Sequence, residues 1–161
     1  MRKINPDYVK AVKEVVNPCP YFTLLSITLK DLEWGESRLE ILVQEKHMQP
    51  FGIVHGGVFS SLLDAAAFWA VYTQVPEEFG MTTVELKLNY LAPLTTGRMI
   101  ATGKSIRVGK TLCLGEASIT DEKGLLLAHG TSTMMLLKDL PIQGRSEWPS
   151  KYLPSSSNDA R

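Results

Sequence analysis

The chain of 161 residues carries no surplus charge, since its 17 Lys and Arg are balanced by 17 Asp and Glu. Without a net positive field, the long-range attraction that nucleic-acid binding depends on is missing, and no nucleic acid is expected as a partner. Cysteine is scarce. Cys19 and Cys113 lie far apart and form no CxxC pair, which argues against a disulfide framework. The opening MRKINPDYVK is polar and does not read as a signal peptide, so the expectation is a reduced, cytoplasmic protein. The longest apolar run, Val58 to Tyr72, falls short of the roughly 20 residues that a bilayer requires and holds Asp64 near its middle. No membrane partner is expected. Neither GxGxxG nor a P-loop lysine occurs, and His47 and His129 have no carboxylate or histidine at ligand spacing. That pattern removes the familiar phosphate cradles and argues against a metal site. No cofactor is expected.

What is present is the material for one core. Hydrophobic residues make up 44% of the chain, and the length matches one domain of roughly 100–200 residues. NPDYVKAVKEVV reads as a short lead helix, with Asn5 as its N-cap, Pro6 at the tolerated first position and Asn17-Pro18 as its stop. Phe22 to Leu32 and Arg38 to Gln44 read as a hairpin of two strands around the Trp34-Gly35-Glu36 turn. A loop with Pro50, Gly52, Gly56 and Gly57 then precedes a helical run, VFSSLLDAAAFWAVYTQ.

Four strand-like segments follow, at Thr82 to Leu91, Arg98 to Val108, Thr111 to Thr120 and Leu125 to Leu137, and are expected to meander. In the first, alternation puts Val84, Leu86, Leu88 and Tyr90 on the core face and Thr83, Glu85, Lys87 and Asn89 on the polar one. The short turns at Gly109-Lys110 and Asp121 to Gly124 require antiparallel neighbours. The pattern is α+β, with residues 1–138 as one domain behind the lead helix. Residues 139–161, with three prolines and Ser155-Ser156-Ser157, form an extended or disordered tail. The central helix is apolar nearly all round and must be covered on every side, so a single curved sheet leaves one flank for another copy of the protein.

Polar residues on that helix are few. Ser60, Ser61 and Asp64 lie along one strip. A carboxylate in apolar surroundings must be paired, stand on a rim or face a polar cavity. Asp64 is therefore either a structural capping or ion-pairing group, or a catalytic base or nucleophile. Just before it, His55-Gly56-Gly57 opens the helix, where free N–H groups and the positive dipole end suit a carbonyl oxygen that gains negative charge. The bland alternative is a turn.

Together, Gln49, Pro50, Gly52, His55-Gly56-Gly57 and Asp64 resemble the hotdog-fold thioesterases, in particular the phenylacetic acid degradation branch. The likeness runs from Phe22 to Leu137 and includes TTVELKLNYLAPLTTG, the RVGKT turn and EKGLLLAHGTSTM. It implies a curved antiparallel sheet of about six strands around one long helix, a homodimer or a dimer of dimers, and metal-free hydrolysis of acyl-CoA. It further implies that the Gly56 N–H polarises the thioester carbonyl and that Asp64 is nucleophile or general base. Gln49 stands at the place of an amide that orients water, where many relatives have Asn, and Thr83 matches a hydroxyl residue near that water.

Gly57, Ser61 and Phe68 are further substrate-binding candidates, and His55 is either such a contact or a structural residue closing the loop. Arg107 and Lys110 suit CoA phosphates, or form a solvated hairpin tip. Phe59, Phe68 and Trp69 line an acyl tunnel or belong to the core, and Cys113 reads as a packed thiol. Gly56 and Asp64 are separated by roughly 12 Å along a helix, too far for one thioester to touch both, so the resemblance implies a site shared between two chains, with Asp64 coming from the partner. A hydratase or dehydratase using His55, and a non-catalytic acyl-CoA binding module, remain alternatives.

Overall fold

The computed structural model describes residues 3–154. Helix α1 (Pro6–Val16) starts as its sequence dictates, because the Asn5 side chain accepts the Asp7 N–H at 3.0 Å. Residues 22–25, expected in a strand, belong instead to helix α2 (Pro20–Leu25). Pro20 sits at its first turn, where a missing N–H costs nothing, and Ser26 stops it in the left-handed conformation (φ 54°). Only then does the hairpin begin, as β1 (Ile27–Glu33) and β2 (Glu36–Leu42).

Helix α3 (Gly56–Tyr72) is followed by β3 (Phe79–Tyr90), β4 (Arg98–Val108), β5 (Leu112–Thr120) and β6 (Leu126–Lys138). All six strands form one antiparallel sheet in the order β1-β2-β4-β5-β6-β3. The short turns hold β4, β5 and β6 as neighbours, but β3 departs from the expected meander. Seven residues, 91–97, separate it from β4, too many for a tight hairpin, and β3 pairs with β6 at the far edge.

The sheet wraps α3, of which Leu62, Leu63, Ala66, Ala67 and Ala70 are fully buried. Small side chains and glycine let the backbones approach: a methyl group at Gly103 of β4 would collide with the Ala66 carbonyl. Cys113 is buried in the core, and burial pushes its thiol pKa up. Among the described residues no helix is long and apolar enough to cross a membrane.

Residues 139–154 form neither helix nor strand and lie against the domain as a strap, while the Ser155-Ser156-Ser157 run falls outside the described residues. Trp148 packs on Tyr8 of α1, with ring centroids 5.6 Å apart. Lys151 is fully buried, donating to the Val75 carbonyl at 2.6 Å with its Nζ 3.9 Å from the centre of the Tyr72 ring. The two ends of the described chain meet through an antiparallel bridge between Ile4 and Tyr152.

Burial lowers the Lys151 pKa from 10.5 to about 7, with the Glu77 carboxylate opposing. Between those values the unfolded chain holds a proton that the folded chain has shed, so this group makes stability lowest below pH 7 and rising above it. The slope approaches about 1.4 kcal/mol per pH unit. Burial raises the Tyr8 and Tyr72 pKa values, so these phenols oppose the trend only above about pH 10. Urea unfolding between pH 7 and 9 will show stability rising in the wild type and a flatter profile in Lys151→Met. Equal slopes would remove Lys151 from this role.

Candidate active site

The loop before α3 ends in His55, whose ring Nδ1 accepts the Gly57 N–H at 2.8 Å and caps the helix. With one orphan donor satisfied in this way, the two glycines become the first helical residues rather than loop. The Gly56 N–H is left with no partner among the described residues. Gly56 lines a cavity of about 380 Å³ with Gln49, Phe59 and Tyr90. Gln49 is placed by its backbone, donating to Ile53 O at 2.9 Å and accepting from Gly52 N–H at 3.0 Å. The Tyr90 hydroxyl donates to the Gly56 carbonyl at 3.2 Å, and a methyl group on Gly56 would come within 3.1 Å of the Tyr90 ring. Glycine keeps this mouth open.

Two turns further along, half-buried Asp64 lines a second cavity of about 350 Å³ with Tyr21, Ser61 and Phe68. Its Oδ1 accepts the Ser132 hydroxyl at 2.8 Å and the Thr83 hydroxyl at 3.0 Å, while Oδ2 receives only a 3.3 Å contact from Thr83. The two hydroxyls fix the carboxylate and leave Oδ2 the oxygen with acceptor capacity to spare.

The position of Thr83 corrects the sequence alternation. Opposite Met134 and Thr133, β3 carries a bulge between Thr83 and Glu85, so Val84 is the extra residue. Thr83 therefore turns toward the helix and Val84 is 53% exposed, while Leu86 and Leu88 keep their inward face. An unbroken period of two would aim Thr83 away from Asp64.

Gly56 with Gln49, and Asp64 with Thr83, Ser61 and Phe68, thus form two groups on one chain, each at its own cavity. His55 is engaged as a cap, and the Gly57 N–H is spent on it. Arg107 and Lys110 are exposed beside the β4–β5 turn and line neither cavity. Phe59 stacks edge-on against Tyr90, with centroids 6.0 Å apart, whereas Trp69 lies with Phe68 at the Asp64 cavity. Buried His47 is tied to the loop, its Nδ1 accepting the Gln44 N–H at 3.0 Å and its Nε2 lying 2.9 Å from Leu25 O.

Sequence reasoning missed Ser132, Tyr21 and Tyr90 as site residues. Ser132 is fully buried in a strand whose other inward positions are Ala128, Gly130, Met134 and Leu136. A hydroxyl at inward spacing between apolar and small residues was the available signal. Tyr21 bonds Ser61 at 2.7 Å, but it lies just before the segment expected as a strand and carries no such signal.

A family model described as the thioesterase superfamily matches residues 51–128. The 1,4-dihydroxy-2-naphthoyl-CoA hydrolase of Listeria monocytogenes is 35% identical over 117 residues, covering 71% of this chain and 93% of the relative. A Saccharolobus solfataricus protein whose name is that of an esterase is 38% identical over 89 residues, covering 55% of this chain, and the match spans only 59% of that relative's length. Among solved structures, a thioesterase from Haemophilus influenzae superposes with a TM-score of 0.78 at 19% identity, covering 89% of this chain and 100% of that one. A thioesterase family protein from Silicibacter pomeroyi does so with a TM-score of 0.73 at 27% identity, covering 80% and 97%.

Proposed function

We propose that this chain, which belongs to the thioesterase superfamily and has the hotdog fold, hydrolyses acyl-CoA to the free acid and coenzyme A as a cytoplasmic homo-oligomer. The observation that carries the reading is that one helix bears both an unpartnered opening N–H at Gly56 and a hydroxyl-braced carboxylate at Asp64, on residues that each line a cavity. The Listeria relative's name, that of an acyl-CoA hydrolase, supports the same substrate class.

In this reading the thioester carbonyl oxygen rests on the Gly56 N–H at the positive end of a 17-residue helix, where negative charge developing on oxygen is stabilised. Asp64 of the partner chain lies across from it, because about 12 Å of helix rise separates the two residues within one chain. As general base it takes a proton from water while the water oxygen bonds to the carbonyl carbon. As nucleophile it forms that bond itself, and water then cleaves the mixed anhydride. On either route the C–S bond breaks and the CoA sulfur leaves as thiolate, which acquires a proton. Gln49 orients the water or the thioester, while Thr83 and Ser132 hold the carboxylate. Hydration chemistry would require His55 as a proton carrier, and its Nδ1 is occupied by the Gly57 N–H.

The test is thiol release from a panel of acyl-CoAs running from acetyl to palmitoyl, with phenylacetyl and naphthoyl members. Release from at least one member, dependent on Asp64, is expected. Tight CoA-ester binding with no release across the panel would replace hydrolysis by a binding function.

A further inference from the structure

Beside the Asp64 cavity lies a third cavity, of about 550 Å³, and the two share Phe22, Phe68 and Trp69 as walls. Its other walls include Val16 of α1, Met81 of β3 and, on the outside, Leu140, Pro141 and Ile142 of the strap. Among the described residues that line it there is no Lys, Arg, Asp or Glu. Its few polar groups are largely engaged: the Gln143 amide donates to Pro141 O at 3.3 Å, and the Tyr72 hydroxyl lies 3.3 Å from that of Tyr8.

The two cavities differ in character along one stripe of α3. Ser61 and Asp64 stand at the polar end, while Phe68 and Tyr72, stacked with centroids 6.1 Å apart, stand at the apolar one. The stripe thus grades from a carboxylate to an aromatic wall, and it suits a ligand that is polar at one end and apolar along the rest. A phosphate or a carboxylate would be stripped of water in the third cavity with no partner, and a pantetheine amide would find few free donors or acceptors.

We propose that this cavity holds the acyl group of the substrate, that its occupant is uncharged and apolar, and that the strap residue Ile142 limits its length. The proposal rests on the thioesterase reading, since it places the thioester at Asp64. The chain that supplies Asp64 then also supplies the acyl pocket. Strap and lead helix together add a specificity element to the walls that α3 and β3 provide.

Binding of non-hydrolysable S-alkyl-CoA thioethers, from butyl to dodecyl, to the full-length protein separates this proposal from turnover. Each added methylene that enters the pocket should tighten binding by up to about fourfold until the pocket is full. Ile142→Trp, which fills the outer wall from an irregular segment, should reduce the dodecyl-to-butyl affinity ratio by at least tenfold. Val15→Phe, reaching the same space from α1, should act in the same direction and guards against a local fault in the strap. An affinity flat with chain length, or the wild-type ladder retained in both folded variants, would overturn the proposal. A ladder that responds to Ile142→Trp while the acyl-CoA panel shows no hydrolysis would leave the pocket standing and remove the enzymatic reading.

Discussion

Asp64→Asn should lower turnover of the best acyl-CoA substrate by roughly 10²–10⁴-fold, the usual contribution of a positioned general base. The replacement is nearly isosteric, and its carbonyl oxygen can still accept the Ser132 and Thr83 hydroxyls that Asp64 accepts at 2.8 and 3.0 Å. What it loses is the second oxygen, Oδ2, together with the negative charge. Stability should therefore change little while the chemistry fails, and urea unfolding measured beside kcat separates the two effects. A folded Asn variant with a normal rate would remove Asp64 from the reaction.

Gly56→Pro tests the oxyanion role with an unusually clean perturbation. Gly56 is the first residue of α3, where proline is favoured, and His55 before it is extended (φ −65°, ψ 139°), as the residue preceding a proline must be. The substitution deletes the unpartnered N–H and asks the exposed Tyr90 ring, 3.1 Å from the added carbon, to shift slightly. A loss on the order of 100-fold or more in kcat is expected.

If each site joins Gly56 of one protomer to Asp64 of its partner, exchanging this variant with Asp64→Asn restores activity. At equal amounts about half of the dimers are mixed, and each mixed dimer has one site free of both defects, so about one quarter of wild-type activity per chain should return. No recovery after proven exchange would place both groups in one chain's site.

How far these groups could be read from the sequence depended on whether local chemistry or long-range pairing set their place. The lead helix and α3 were legible because caps and composition act within a few residues, as at Asn5 and His55. Gly56 and Asp64 stood out because a helix start and a lone carboxylate on an apolar helix are local anomalies. Helix α2 is poorly legible because Phe22, Leu24 and Leu25 suit either structure and only Pro20 at its start favours a helix. The Thr83 face was inverted because a bulge depends on how two strands fit, and nothing in the TTVEL run itself announces one extra residue. Ser132 lies 68 residues from Asp64, a separation across which pattern reading has no reach.

The strap also ties together residues that lie far apart along the chain. Asn5 donates its N–H to the Lys151 carbonyl, and Leu153 donates to the Lys3 carbonyl, so these contacts close a loop that takes in almost all of the described residues. Gly56, Asp64, Thr83 and Ser132 all lie within that loop, and the hydrogen bonds that Asp64 accepts from Thr83 and Ser132 involve none of the strap's 16 residues, 139–154. The entropic cost of closing so long a loop is smaller once the sheet has reduced the freedom of the intervening chain. Opening of the strap alone would thus leave the groups proposed for catalysis assembled while removing the outer wall beside them.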